Sequence, residues 1–374
     1  MKKDIMLLGW IAIQAALIAA TIRSAVAAEI PPVRPVVDVV FVLDTTGSMG
    51  GLLEGAKRRV WSIANELSKG RPSPRLRMGL VAFRDKGDSY VTKAFDLTGN
   101  LDQVYKDLLT LEAGGGGDGP EHVLQGLSDA IDKMSWSSEA KAVKAIYLVG
   151  DASPHEDYGD TPSLKELLQK AVRKGLVVNA AQCGSDSTAG DAFRLVARLG
   201  EGRFLPVPQD GGMAAVETPF DARMAELGRK LDSTMVAYGA RKSEAAGVRG
   251  LAMSVAAKAS GAAGADRAAY RGGAGFDSEL DLVAAYEEKR ISAGKLKDSE
   301  LPGEFRGLSS EERERRLRRA SEERRRLRDE VAELSKKREN FLRKKSGPSP
   351  KEDSFDRLMV ESLREQARRK DVKF

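Results

Sequence analysis

Continuous apolar runs alternate along the first two thirds of this chain with segments whose apolar positions recur every three or four residues. Val36-Val37-Asp38-Val39-Val40-Phe41-Val42-Leu43 is apolar at almost every position, as in a parallel strand covered on both faces. Leu53, Ala56, Val60, Ile63, Ala64 and Leu67 then step at helical spacing toward Gly70, which predicts a helix packed on that strand. Residues 80–83, 90–97, 145–149, 176–181 and 203–207 read as further strands. Segments 101–111, 120–131, 164–174 and 192–199 read as helices, and 220–236, with Met224, Leu227 and Leu231 on one face, as a closing helix. This order predicts an α/β domain over 36–238, a doubly wound and mostly parallel sheet whose ligands bind beyond the carboxyl ends of its strands.

Beyond residue 238 the pattern changes. Residues 239–275 are rich in alanine and glycine and read as a flexible linker with a short helix near 251–257. Residues 276–345 form a charged helical segment that Pro302 and Gly303 interrupt. Ser309-Ser310-Glu311-Glu312 is a capping box opening a long helix. Leu317, Ala320, Arg324, Leu327, Val331, Leu334, Arg338 and Phe341 form a heptad seam with arginine at two core positions. Such a seam suits either a helix folded back on its own chain or a homo-oligomeric coiled coil through 309–345. Residues 346–374 end in an amphipathic helix whose Phe355, Leu358, Met359, Val360 and Leu363 offer a docking face.

Charge and the amino terminus add a compartment. Lys2 and Lys3, an apolar stretch over 5–22 and Ser24-Ala25-Val26-Ala27-Ala28 have the form of a signal peptide ending near residue 28. A proline-containing spacer, 29–35, follows. The expectation is an exported protein, periplasmic or secreted, or anchored in the inner membrane by an uncleaved signal. The single cysteine, Cys183, cannot form an internal disulfide and ends an apolar run, so it is expected to be buried. The net charge of +6 hides an asymmetry: 24 basic and 28 acidic residues over 36–238 against 33 and 25 over 239–374. A basic tail suits an acidic protein or a membrane surface, and export argues against nucleic acid.

The candidate chemistry lies at the strand ends. Asp44-Thr45-Thr46-Gly47-Ser48 follows the first strand and places an acid and two hydroxyls at alternate positions of one tight loop. Hard divalent cations take such oxygen ligands. The run Gly114-Gly115-Gly116-Gly117-Asp118-Gly119-Pro120-Glu121 and the loop opened by Asp151 could supply more. The glycine run lacks the lysine and hydroxyl pair of a phosphate-binding loop. The first loop also lacks the second copy that an aspartic-protease reading needs. His122 and His155, the only histidines, are a weak zinc signal without cysteine partners.

These three loops resemble those of a von Willebrand factor A domain with a metal-ion-dependent adhesion site. The Gly-Gly-Gly-Asp-x-Pro-Glu form is similar to a variant in hemicentin-like and alpha-kinase-like members. By position the resemblance implies metal contacts for Asp44, Thr46, Ser48 and Asp151, with Asp118 where many members carry threonine. It implies a divalent cation, Mg²⁺ first and Ca²⁺ or Mn²⁺ as alternatives, whose shell is completed by an Asp or Glu carboxylate of a protein partner. The expected function is metal-dependent protein binding in adhesion or assembly, without enzymatic activity. A metal-dependent hydrolase and a metal-free envelope scaffold are the alternatives.

Overall fold

The computed structural model describes residues 34–374 except 70–72, 118, 214, 260, 275, 346–353 and 373–374. The signal-peptide reading, the first residues of the spacer and Asp118 therefore lie outside the described residues. Strand β1 (Val36–Asp44) is buried along its whole length and lies between two parallel neighbours, β2 (Arg75–Phe83) and β4 (Val143–Gly150). With β3 (Thr92–Thr98), β5 (Val177–Cys183) and β6 (Glu201–Val207) the sheet runs β3-β2-β1-β4-β5-β6. Only the edge pair β2–β3 is antiparallel. Alternate residues of β1 serve opposite cores: Val37, Val39, Phe41 and Leu43 face one, Val40 and Val42 the other, which is why the run is apolar throughout.

Helices α1 (Gly50–Ser68) and α2 (Leu101–Leu109) pack on the first face. Helices α3 (Val123–Asp132), α4 (Leu164–Arg173) and α5 (Ser187–Leu199) pack on the second. Asp38, charged within the buried strand, is held by Arg77 at 2.8 and 2.6 Å and by the Ser137 amide at 2.7 Å.

The sheet is closed by a different helix from the one the sequence suggested. Helix α6 (Asp221–Ser233) places Leu227 and Leu231 in a separate cluster with Phe276, Leu327 and Val331. The sheet face is covered instead by the last helix, whose Phe355, Met359, Val360 and Leu363 join the β1 core. There Tyr147 Oη donates to the Met359 carbonyl at 3.0 Å and meets Ser362 Oγ at 2.8 Å. Gln366 Nε2 donates to Asn179 Oδ1 at 2.7 Å. Residues 208–353 are thus inserted between the last strand and the helix that completes the sheet domain.

The segment expected to be a flexible linker is instead two helices, α7 (Lys242–Lys258) and α8 (Gly261–Ala274). Alanine is the best helix former, and its small side chain lets helices approach closely. A methyl group at Gly228 of α6 would lie 3.0 Å from Ala268 Cβ of α8. Arg267, 2% exposed, joins these helices to the sheet domain: it binds Asp102 of α2 at 2.7 Å and Asp232 of α6 at 2.6 Å.

Helix α9 (Leu282–Glu287) precedes α10 (Ser310–Lys345), which opens on the expected capping box: Ser309 N donates to Glu312 Oε2 and Glu312 N to Ser309 Oγ. The heptad seam of α10 is occupied by its own chain. Leu317, Arg324, Leu327, Val331 and Arg338 are all buried. Arg338 reaches Asp221 and Asp266 at 2.7 Å each. Arg324 lies 2.6 Å from Asp281 and donates to Thr234 Oγ1 and the Thr234 carbonyl. The two arginines within the seam thus meet acidic partners elsewhere in the chain. The last helix is designated α11 (Phe355–Arg368).

Candidate functional site

Because β1 lies between β2 and β4, the loops leaving β1 and β4 are neighbours at the point where the strand order reverses, the usual ligand position of such sheets. Asp44 ends β1 and is 1% exposed. Its Oδ1 accepts from the Thr46 amide at 2.8 Å and from Thr46 Oγ1 at 2.6 Å. Its Oδ2 is buried and, among the described residues, has no hydrogen-bond partner. Burial, with a further contribution from the Asp151 charge, pushes the Asp44 carboxyl up from 3.8 to about 7 against the opposing hydrogen bonds from Thr46 and the smaller pull of the Asp151 backbone amide. A buried carboxylate oxygen left in this state is costly unless a proton or a cation satisfies it.

Ser48 is exposed, with its Oγ 3.5 Å from Thr46 Oγ1. The short helical turn Gly47–Met49 then leads into α1. The glycine run lies directly against this loop: Gly47 N donates to the Gly115 carbonyl at 3.3 Å and Gly114 N to the Thr45 carbonyl at 3.1 Å. Gly116 has φ +79°, and a methyl group there would lie 3.1 Å from Thr46 Cβ. Glycine is needed for both the conformation and the approach. Arg84 braces the two loops, donating to the Thr45 carbonyl at 3.1 Å and the Glu112 carbonyl at 2.6 Å.

The third loop carries Asp151, half-buried at the mouth. Glu121 N donates to the Ser153 carbonyl and His155 N to the Glu121 carbonyl, so the glycine run and the β4 loop are laced together. The three loops enclose a cleft of about 580 Å³ lined by Thr46, Ser48, Gly116, Glu121 and Asp151, with Asp186 and Thr188 from the start of α5. No lysine, arginine or histidine lines it among the described residues.

Of the sequence-derived site residues, Thr46, Ser48 and Asp151 line this cleft and Asp44 lies behind it, while Asp118 falls outside the described residues. Glu121, expected in the first turn of a helix, precedes α3 and lines the cleft. Asp186, Thr188 and Gln209 went unnoticed in the sequence, and no local motif marks them. The histidines form no zinc site: His155 stacks on Tyr158 with centroids 4.2 Å apart and pairs with Asp157, and His122 meets Asp160. Among the described residues no group of three His, Cys, Asp or Glu side chains is arranged to hold a metal ion by itself. A cation here would need hydroxyl oxygens beside the acids, and the first loop provides them. Cys183 is buried, which together with nearby Asp151, Asp44 and Asp210 raises its thiol well above the ordinary range.

A doubly wound sheet with an acid and two hydroxyls on the loop after its central strand defines the von Willebrand factor A class, and the chain carries such a domain: the sequence profile of the von Willebrand factor A domain matches residues 38–192. Members of this family generally act in protein–protein interactions. Among curated proteins, the human von Willebrand factor A domain-containing protein 7 is 32% identical over 126 residues, 34% of this chain and 13% of that protein. The alpha-protein kinase vwkA of Dictyostelium discoideum is 27% identical over 120 residues, 32% of this chain and 19% of the kinase. The chain thus spans less than a fifth of the length of these relatives. Among solved structures, the SpRpn10 VWA domain aligns with a TM-score of 0.36 at 15% identity, over 47% of this chain and 89% of that one. Proximal thread matrix protein 1 from the mussel byssus, with a zinc-occupied MIDAS motif, aligns at 0.37 and 17% over 47% and 43%.

Proposed function

We propose that the cleft is a metal-dependent protein-binding site and that the chain is an exported binding module rather than an enzyme. The observation that carries this reading is the Asp44 carboxylate, buried with one oxygen unpartnered among the described residues, directly behind the Thr46 and Ser48 hydroxyls. Thr46 and Ser48 would hold a divalent cation, Mg²⁺ in the first instance, with Asp44, Asp151 and Asp118 holding it directly or through water. When bound, the cation supplies an electrophilic position for an Asp or Glu carboxylate of a protein partner. The chain's own residues fix the site: Thr46 turns the Asp44 carboxylate, Arg84 sets the spacing of the first two loops, and the glycine run brings backbone close to Thr46. The basic tail would add contact with an anionic membrane surface.

Calorimetric titration of the chelator-stripped chain with Mg²⁺, Ca²⁺ and Mn²⁺, beside an Asp44→Ala, Ser48→Ala double variant, tests the reading. Saturable binding lost in the double variant supports it. No binding by the native chain refutes it and leaves a metal-free scaffold as the remaining role of the domain.

A further inference from the structure

We infer that Gln209 is a positioning residue of this site, orienting Asp151 and tying ion binding to the place where the inserted helices leave the sheet domain. The inference rests on the cation reading above. Gln209 is the second residue after β6, and its Nε2 donates to Asp151 Oδ2 at 2.7 Å and toward the Ser48 carbonyl at 3.4 Å. The orientation of the amide follows from chemistry, because an ionised carboxylate only accepts. One side chain from a fourth loop therefore contacts two of the loops that carry the candidate ligands. Gly184, at φ +76°, leaves room for it: any side chain at that position would run into Gln209 Oε1.

The backbone around Gln209 is equally well defined. Gly211 N donates to the Pro208 carbonyl at 2.7 Å and Gly212 N to Asp210 Oδ1 at 2.9 Å. The Gly211 carbonyl accepts from Phe355 N at 3.0 Å. The chain therefore leaves the sheet domain after β6 and is back on it at Phe355, bonded to Gly211, two residues from the side chain that holds Asp151. A side chain that fixes the rotamer of a metal-binding carboxylate raises ion affinity, since the carboxylate is ordered before the ion arrives. Fixing that side chain from the mouth of the insertion lets ion occupancy and the order of the mouth stabilise each other. Gln209 itself is exposed, so replacing it leaves the core intact.

The test is calorimetric titration of the chelator-stripped full chain with MgCl₂ and MnCl₂, for the native protein and Gln209→Ala, with hydrogen exchange measured with and without the ion. The expected result is saturable binding by the native chain, and affinity lowered by about tenfold or more in Gln209→Ala at an unchanged melting temperature of the ion-free protein. Ion binding to the native chain should slow exchange at the amides of Gly211, Gly212 and Phe355. In Gln209→Ala that slowing should vanish while residues 44–49 remain protected. Gln209→Asn, one methylene too short to reach, should behave like the alanine variant. Native binding with equal affinity in Gln209→Ala overturns the role of Gln209 and leaves the cation reading standing. A lowered ion-free melting temperature at unchanged affinity shows a merely structural residue and also overturns it. No binding by the native chain overturns both readings.

Discussion

Replacing Asp281 by asparagine removes the charge that neutralises Arg324, and the packing of α10 sets the cost. Both side chains have 0% exposure and approach to 2.6 Å. The contact is a close buried ion pair. In Asp281→Asn the guanidinium keeps the two Thr234 oxygens and the Phe276 ring, 4.1 Å away. It loses its only contacting carboxylate among the described residues, and an uncompensated buried charge costs about 3–5 kcal/mol. Asparagine preserves the Oδ1 acceptor for Val236 N and Val283 N, so the helix cap survives. Asp281→Ala should cost about 1 kcal/mol more for the cap. Pairing Asp281→Asn with Arg324→Met removes the charge as well and should return stability to within about 1 kcal/mol of the native chain. Urea unfolding followed by far-ultraviolet circular dichroism reads the native chain, Asp281→Asn, Arg324→Met and the double variant as a double-mutant cycle, with Asp281→Ala beside it. An Asp281→Asn cost under about 1 kcal/mol would refute the reasoning. A cost that depended on protein concentration would show a second copy, rather than this chain, filling the seam.

Three further outcomes follow from the site. Asp44 has a folded pKa raised from 3.8 to about 7, so its contribution is fully present below pH 3.8 and lost as pH rises through about 7; the ion-free protein should melt lower at pH 8 than at pH 5, and Asp44→Asn should flatten that difference in a calorimetric scan. Cys183, buried with its thiol raised well above the usual range, should not react with a thiol reagent at pH 8 in the native chain and should release one thiol in denaturant. Asp118→Thr removes one negative charge, so titration should show weaker ion binding while a carboxylate-bearing partner, once captured in an ion-dependent pull-down, binds more tightly; weaker partner binding by the variant would count against the role given to Asp118.

The apolar runs and their alternation with helical spacing determined by themselves that a doubly wound sheet would form, because burial on both faces leaves a local signature in each strand. Asp44, Thr46 and Ser48 could be singled out as candidates for the same reason: one short loop carries them, and its geometry is set within a few residues. The capping box at Ser309 and Glu312 is equally local. Tertiary structure alone decided which helix closes the sheet, since Phe355, Met359 and Leu363 are no more apolar than the Leu227 and Leu231 face that lies nearer in sequence. It also turned an alanine- and glycine-rich stretch from a presumed linker into α7 and α8, where the absence of bulky side chains permits contact as close as that of Gly228 with Ala268. Arg324, Arg338 and Gln209 became interpretable only through Asp281, Asp221, Asp266 and Asp151. A backbone preference is set by neighbours in the chain, whereas the partner of a buried charge or an apolar face is set by whichever distant residue the completed packing brings against it.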